Sequence, residues 1–87
     1  MAAGFGFHLV LMEPVRYQSF TIFPGSNQLQ DSGEWTLEVR IMRRMEICFF
    51  STRNTFASEE LALEEALRFG KRIVDGELPG LSVDGLG

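Results

Sequence analysis

The stretch FGKRIVDGELPG, residues 69–80, holds the chain's only lysine, Lys71, together with Gly70, Gly76 and Gly80. Such a mixture could cradle a phosphate. Phosphate loops, however, place their glycines before a helix, so that the N-terminal amides meet the anion. Here the glycines follow a segment of helical periodicity, and the stretch reads as a helix end, with Gly76 as a left-handed C′ residue and Pro79 as a stop soon after. Gly70, inside the helix, costs up to ~1 kcal/mol relative to alanine, which marks a point of close approach between helix and sheet, over Trp35.

The arginines Arg40, Arg43, Arg44 and Arg53, with Tyr17 and Phe50, could build an aromatic and basic platform for single-stranded nucleic acid or another anionic ligand. These six residues form the candidate interaction surface. A solvated sheet face, its arginines paired with Glu38 and Glu46, accounts for the same residues and is the favoured reading. The acids Glu59, Glu60, Glu64 and Glu65 could suggest a metal, yet they fall in the first turns of a predicted helix, where negative charge is expected in any case. Cys48 lies in a run of hydrophobes with no basic partner expected close enough to lower its pKa, and so reads as an inert sheet residue. His8 has no identifiable nucleophile or acid to work with. No catalytic, metal-binding or cofactor-binding residue is assigned, and the expectation is a protein that is not an enzyme and takes no cofactor.

These side chains must be positioned by a small body. With 87 residues there is room for one compact domain, and 45% hydrophobic residues, eight of the total being Phe, suffice for a core. Residues 1–57 carry five arginines against five acids, whereas residues 58–87 carry three bases against seven, which together give the net charge of −4. An acidic chain is a poor general binder of phosphate backbones, so nucleic acid is a minority reading. A single cysteine excludes an internal disulfide and fits a reducing, cytoplasmic setting. The apolar run FGFHLVLM lacks a basic flank, is too short to cross a bilayer and is followed by Glu13 and Pro14, so neither an export signal nor a membrane segment is expected.

Residues 1–14 form an apolar leader, flexible or adding a strand over Phe7–Met12, and residues 15–87 form the domain. RYQSFTIF, from Arg16 to Phe23, alternates as a first strand that Pro24 and Gly25 should stop. A long turn-rich connection follows. The clearest pattern is EWTLEVRIM, in which Trp35, Leu37, Val39 and Ile41 alternate with polar residues. MEICFFS reads as a third strand. A two-residue turn at Arg43 and Arg44 would set Ile41 opposite Glu46. A loop of odd length sets Ile41 opposite Ile47 and Val39 opposite Phe49, and this register is favoured because a one-residue slip reverses the apolar face. Its consequence is that Cys48 and Phe50 join the polar face. Ser58 is a good N-cap for a helix over 58–75, with Glu59 and Glu60 at its positive end and Arg68, Lys71 and Arg72 at its negative end.

From Tyr17 onward the succession YQSFTIFPG, then W and VRI, then FAS with EEAL, and finally FGKRIVDGELPGLSV resembles a group of small uncharacterised bacterial proteins. FGKRIVDG is its most specific part, and the resemblance covers about four fifths of the chain. It implies a short antiparallel sheet with one C-terminal helix and carries no catalytic residue across. The reading is therefore an α+β domain of order β-β-β-α, a three-stranded antiparallel sheet under one long C-terminal helix, with a possible extra N-terminal strand. Phe50, Met42, Met45 and the leader exceed what one helix can cover, which points to a homodimer, the commonest oligomer, acting as a protein-interaction module.

Overall fold

The alternation in Trp35–Arg43 does produce a central strand, which buries Leu37, Val39 and Ile41 on one face. The computed structural model describes residues 9–81 and 83. Along the chain it contains β1 (Leu9–Leu11), β2 (Val15–Tyr17), β3 (Phe20–Asn27), β4 (Trp35–Arg43), β5 (Glu46–Phe56) and α1 (Glu59–Val74). All strand pairs are antiparallel. β3, β4 and β5 lie side by side, while β1 and β2 share the remaining edge of β3, so the sheet is four strands wide. An α+β fold of one antiparallel sheet and one C-terminal helix is what the sequence predicted; the fourth strand is supplied in two pieces by the N-terminal segment. The first eight residues, His8 and the start of the predicted leader strand among them, lie outside the described residues.

The strand expected over Arg16–Phe23 is instead a tight hairpin. Tyr17 pairs with Phe20 across the two residues Gln18 and Ser19, and Gln18 takes φ = 57°. The turn sends Tyr17 back beside Phe20 on one face, where simple alternation would have separated them. Nor does β3 stop at Pro24. It continues through Gly25 to Asn27, because the missing amide of Pro24 is not aimed at β4. The Pro24 carbonyl accepts from the Met12 N–H at 3.1 Å, and in an antiparallel ladder a residue's N–H and C=O point the same way. The donor that Pro24 lacks would therefore have met the Met12–Pro14 break between β1 and β2. The inner ladder is untouched, which is the condition under which a strand tolerates proline.

The β4–β5 register also differs from expectation. Arg43 pairs with Glu46 across a two-residue turn at Arg44 and Met45, with Arg44 at φ = 60°. Ile41 then faces Cys48 and Val39 faces Phe50. Cys48 and Phe50 thus lie on the apolar face against the core cluster, and it is Ile47 and Phe49 that turn to the other side. Beyond Ser51 the ladder is irregular: three residues, Thr52 to Asn54, stand opposite Leu37 before Thr55 pairs with Thr36. Such a bulge bends the strand.

α1 covers one sheet face. Ser58 caps it, accepting the Leu61 N–H at 3.1 Å. At the other end the Gly76 N–H reaches the Ile73 carbonyl and the Glu77 N–H reaches that of Arg72, with Gly76 at φ = 74°. That pair of bonds is a Schellman motif. Ala62, Ala66, Gly70 and Ile73 are the buried residues of the helix. Three of the four are small, so the helix backbone sits low on the sheet. A Cβ at Gly70 would lie 2.7 Å from Ile22 Cγ2 and 3.1 Å from Val39 Cγ2. The close approach expected there is real, but it is over Ile22 and Val39, not Trp35. The helix lies across β3 and β4 and scarcely meets β5. After it, Leu78, Leu81 and Val83 fold back onto the core.

Candidate interaction surface

With α1 on one face, the other face of the sheet is left to β3, β4 and β5. The registers align Thr21, Met42 and Ile47 in one row and Phe23, Arg40 and Phe49 in the next, followed by Gly25, Glu38 and Ser51. Ile47 and Phe49 are each 56% exposed. The Arg40 guanidinium lies over the Phe49 ring, 5.8 Å from its centroid, a cation–π contact that holds a charge against the apolar row. Arg16, opposite Thr21, belongs to the same side. Glu38 supplies a carboxylate, and Asn27 Nδ2 donates to its Oε2.

The six residues singled out in the sequence do not share one surface. Arg40 lies on the helix-free face. Thr52 and Asn54 border a groove beside α1, so Arg53 between them points by alternation to the helix-free side. Arg44 forms the tip of the β4–β5 turn. Arg43 is on the helix side, its guanidinium 5.4 Å from the Phe20 ring centroid, and Phe50 packs against the core. Tyr17 is at the far end of the helix face, where its hydroxyl donates to Asp75 Oδ2 at 2.8 Å. Gln18 Nε2 donates to Asp75 Oδ1 at 2.8 Å, and the Lys71 ammonium lies 5.5 Å from the Tyr17 ring. The Asp75 hydrogen bond raises the Tyr17 pKa above the ordinary phenol value. Partial desolvation and the charges of Asp75 and Glu77 push the same way, against a smaller opposing effect of Gln18.

What sequence reasoning missed is the pair Ile47 and Phe49, together with Phe23 and Arg16 beside them; Met42, in the same rows, is already among the apolar residues that the sequence leaves uncovered. A signal was present: Arg43 and Glu46 carry opposite charges at the flanks of a two-residue turn, a cross-strand pair that favours the observed register. The groove between α1 and β5, of 170 Å³, is floored by Leu37, Phe56 and Phe69. Arg68 and Arg72 on its rim are already engaged, by Glu65 at 2.9 Å and by Glu77 at 3.5 Å. Among the described residues no helix is long and apolar enough to cross a membrane. No protein-family model, curated protein or solved structure matches this chain.

Proposed function

We propose that the protein is a non-enzymatic interaction module that pairs with a second copy of itself through β5 and the surface around it. The observation that carries this is the exposure of Ile47 and Phe49, side by side along one strand of a sheet face that no helix among the described residues covers. A fully buried side chain of this kind contributes about 1.5–3 kcal/mol. Complete burial of two Ile47 and two Phe49 side chains, each 56% exposed, would supply at most roughly 3–7 kcal/mol on that scale. Association itself costs about 4–15 kcal/mol in lost freedom. Side-chain burial alone therefore supports only a weak pair that dissociates on dilution, and further contacts must complete it. The lone, half-buried Cys48 fits the reducing, cytoplasmic setting proposed for it.

Light scattering over a dilution series tests this reading. Mass should rise toward that of two chains with concentration, and Ile47→Ser with Phe49→Ser should abolish the rise without changing the far-ultraviolet circular dichroism. A monomer at every concentration would remove the proposal.

A second reading rests on a different observation. Arg16, Arg40 and Arg53 are all on the helix-free side with Phe23 and Phe49, so positive charge and aromatic rings coincide there although the chain as a whole is acidic. Aromatic stacking beside arginines is how single strands are held. A labelled oligonucleotide that fails to bind at low ionic strength would dispose of it.

A further inference from the structure

We infer that the two copies join edge to edge, β5 against β5, in an antiparallel two-fold pairing centred on Phe49, so that their sheets become one. This rests on the self-association proposed above and specifies its geometry. The two edges of the sheet are unlike. The outer edge formed by β1 and β2 consists of two three-residue strands parted at Met12–Pro14, and short strands and proline are what keep an edge from pairing. β5 runs for 11 residues with no strand beyond it among the described residues. Its straight part, from Glu46 to the irregularity after Ser51, contains neither proline nor lysine, and Ile47–Ser51 carry no charge.

The hydrogen-bonding direction of that edge follows from the turn. Arg43 and Glu46 flank a two-residue loop and so form a hydrogen-bonded pair. By alternation the amide and carbonyl groups of Ile47, Phe49 and Ser51 point away from β4. Pairing about Phe49 sets Phe49 beside Phe49 of the second copy, Ile47 beside Ser51 and Cys48 beside Phe50. Each such residue keeps its own face, so the helices of both copies lie on one side of the joined sheet. Three outward pairs, each exchanging two N–H···O bonds, add about six backbone bonds. Those are the further contacts that apolar burial alone leaves wanting. The helix scarcely meets β5, which leaves room on that side for Phe50 of the second copy against Cys48.

Stacking the helix-free faces is the competing arrangement, and charge opposes it. Arg16, Arg40 and Arg53 against Glu38 and Glu34, whose Oε1 accepts from Thr55 Oγ1 on the same side, leave one net positive charge on each face, and apposing them would desolvate like charges. Edge pairing keeps Arg40 and Arg53 in water.

Single cysteines in a Cys48→Ser background test the register. Phe49→Cys should crosslink to itself under mild oxidation, because paired Cα atoms about 5.5 Å apart suit a disulfide. Ile47→Cys should crosslink with Ser51→Cys when the two variants are mixed. Ser51→Pro, whose ring would replace an outward N–H and spare the ladder to β4, should keep its circular dichroism and become a monomer. A wild-type dimer with no crosslink at position 49 in a Phe49→Cys variant that light scattering shows still pairs, or a dimer that persists in Ser51→Pro, overturns edge pairing and leaves self-association standing. A wild-type monomer overturns both.

Discussion

Replacing Gly70 by alanine sets two effects of opposite sign against each other, and the structure decides between them. In an exposed helix interior alanine is favoured over glycine by about 0.8–1.0 kcal/mol. At position 70 the new methyl would be 2.7 Å from Ile22 Cγ2 and 3.1 Å from Val39 Cγ2, where optimal carbon separations are about 3.5–4.0 Å. Relief requires movement of roughly 0.8 Å at the closer contact, reckoned against the near end of that range. Ile22 and Val39 are 0% exposed, and branching at Cβ leaves each with a stiff χ1. Overpacking of this sort costs about 1–3 kcal/mol. The expected net loss is therefore about 1 kcal/mol, which for a domain of this size lowers Tm by about 4–8 °C. Urea unfolding followed by Trp35 fluorescence measures it. Ile22→Leu moves the branch out to Cγ and should recover part of the loss in the double variant, a coupling that a purely local helix effect cannot produce. A gain in stability for Gly70→Ala, or strict additivity with Ile22→Leu, would refute the close-packing argument.

Two further outcomes do not depend on association. Ser58→Ala removes the acceptor for the Leu61 N–H and should lower the unfolding free energy by about 1 kcal/mol in the same urea experiment. Tyr17 is the only tyrosine, so tyrosinate absorbance follows it alone; its midpoint should lie above the usual value of about 10 and fall in Asp75→Asn, which weakens the hydrogen bond chiefly behind the upward shift and removes the carboxylate charge that adds to it. Because the phenol is held protonated in the folded state, its contribution to stability is complete below the unfolded pKa and is lost as pH rises through that value toward the folded one.

The helix was legible because its signals are local. Ser58, the acids after it, the bases before Gly76 and the glycine itself each act within one turn of the backbone they satisfy. The same holds for β4, where Leu37, Val39 and Ile41 needed only alternation. The sheet's connections were not legible, since both tight turns put a residue other than glycine or asparagine at positive φ, Gln18 and Arg44. Such positions cost about 1–2 kcal/mol and are held by the pairing on either side, not by the turn's own preference. Missing Gln18 merged two strands into one, and missing Arg44 placed Phe50 in water and Phe49 in the core. The expected stop at Pro24 failed for a related reason: whether proline ends a strand depends on which neighbour its nitrogen faces, and that neighbour is remote in sequence. These turns decided the candidate surface, so of six residues chosen from the sequence only Arg40 and Arg53 share the helix-free face.

The break at Met12–Pro14, set against the missing donor of Pro24, gives the sheet a direction in which it can grow and one in which it cannot. A strand added along β5 finds a full row of partners, whereas the far side offers three-residue fragments and a gap. Among the described residues, growth by strand addition therefore has a single point of attachment, and in the proposed pairing two chains would use theirs on each other. A molecule with two such receptive margins would be free to polymerise into fibres; the proposed pairing would instead stop at two chains.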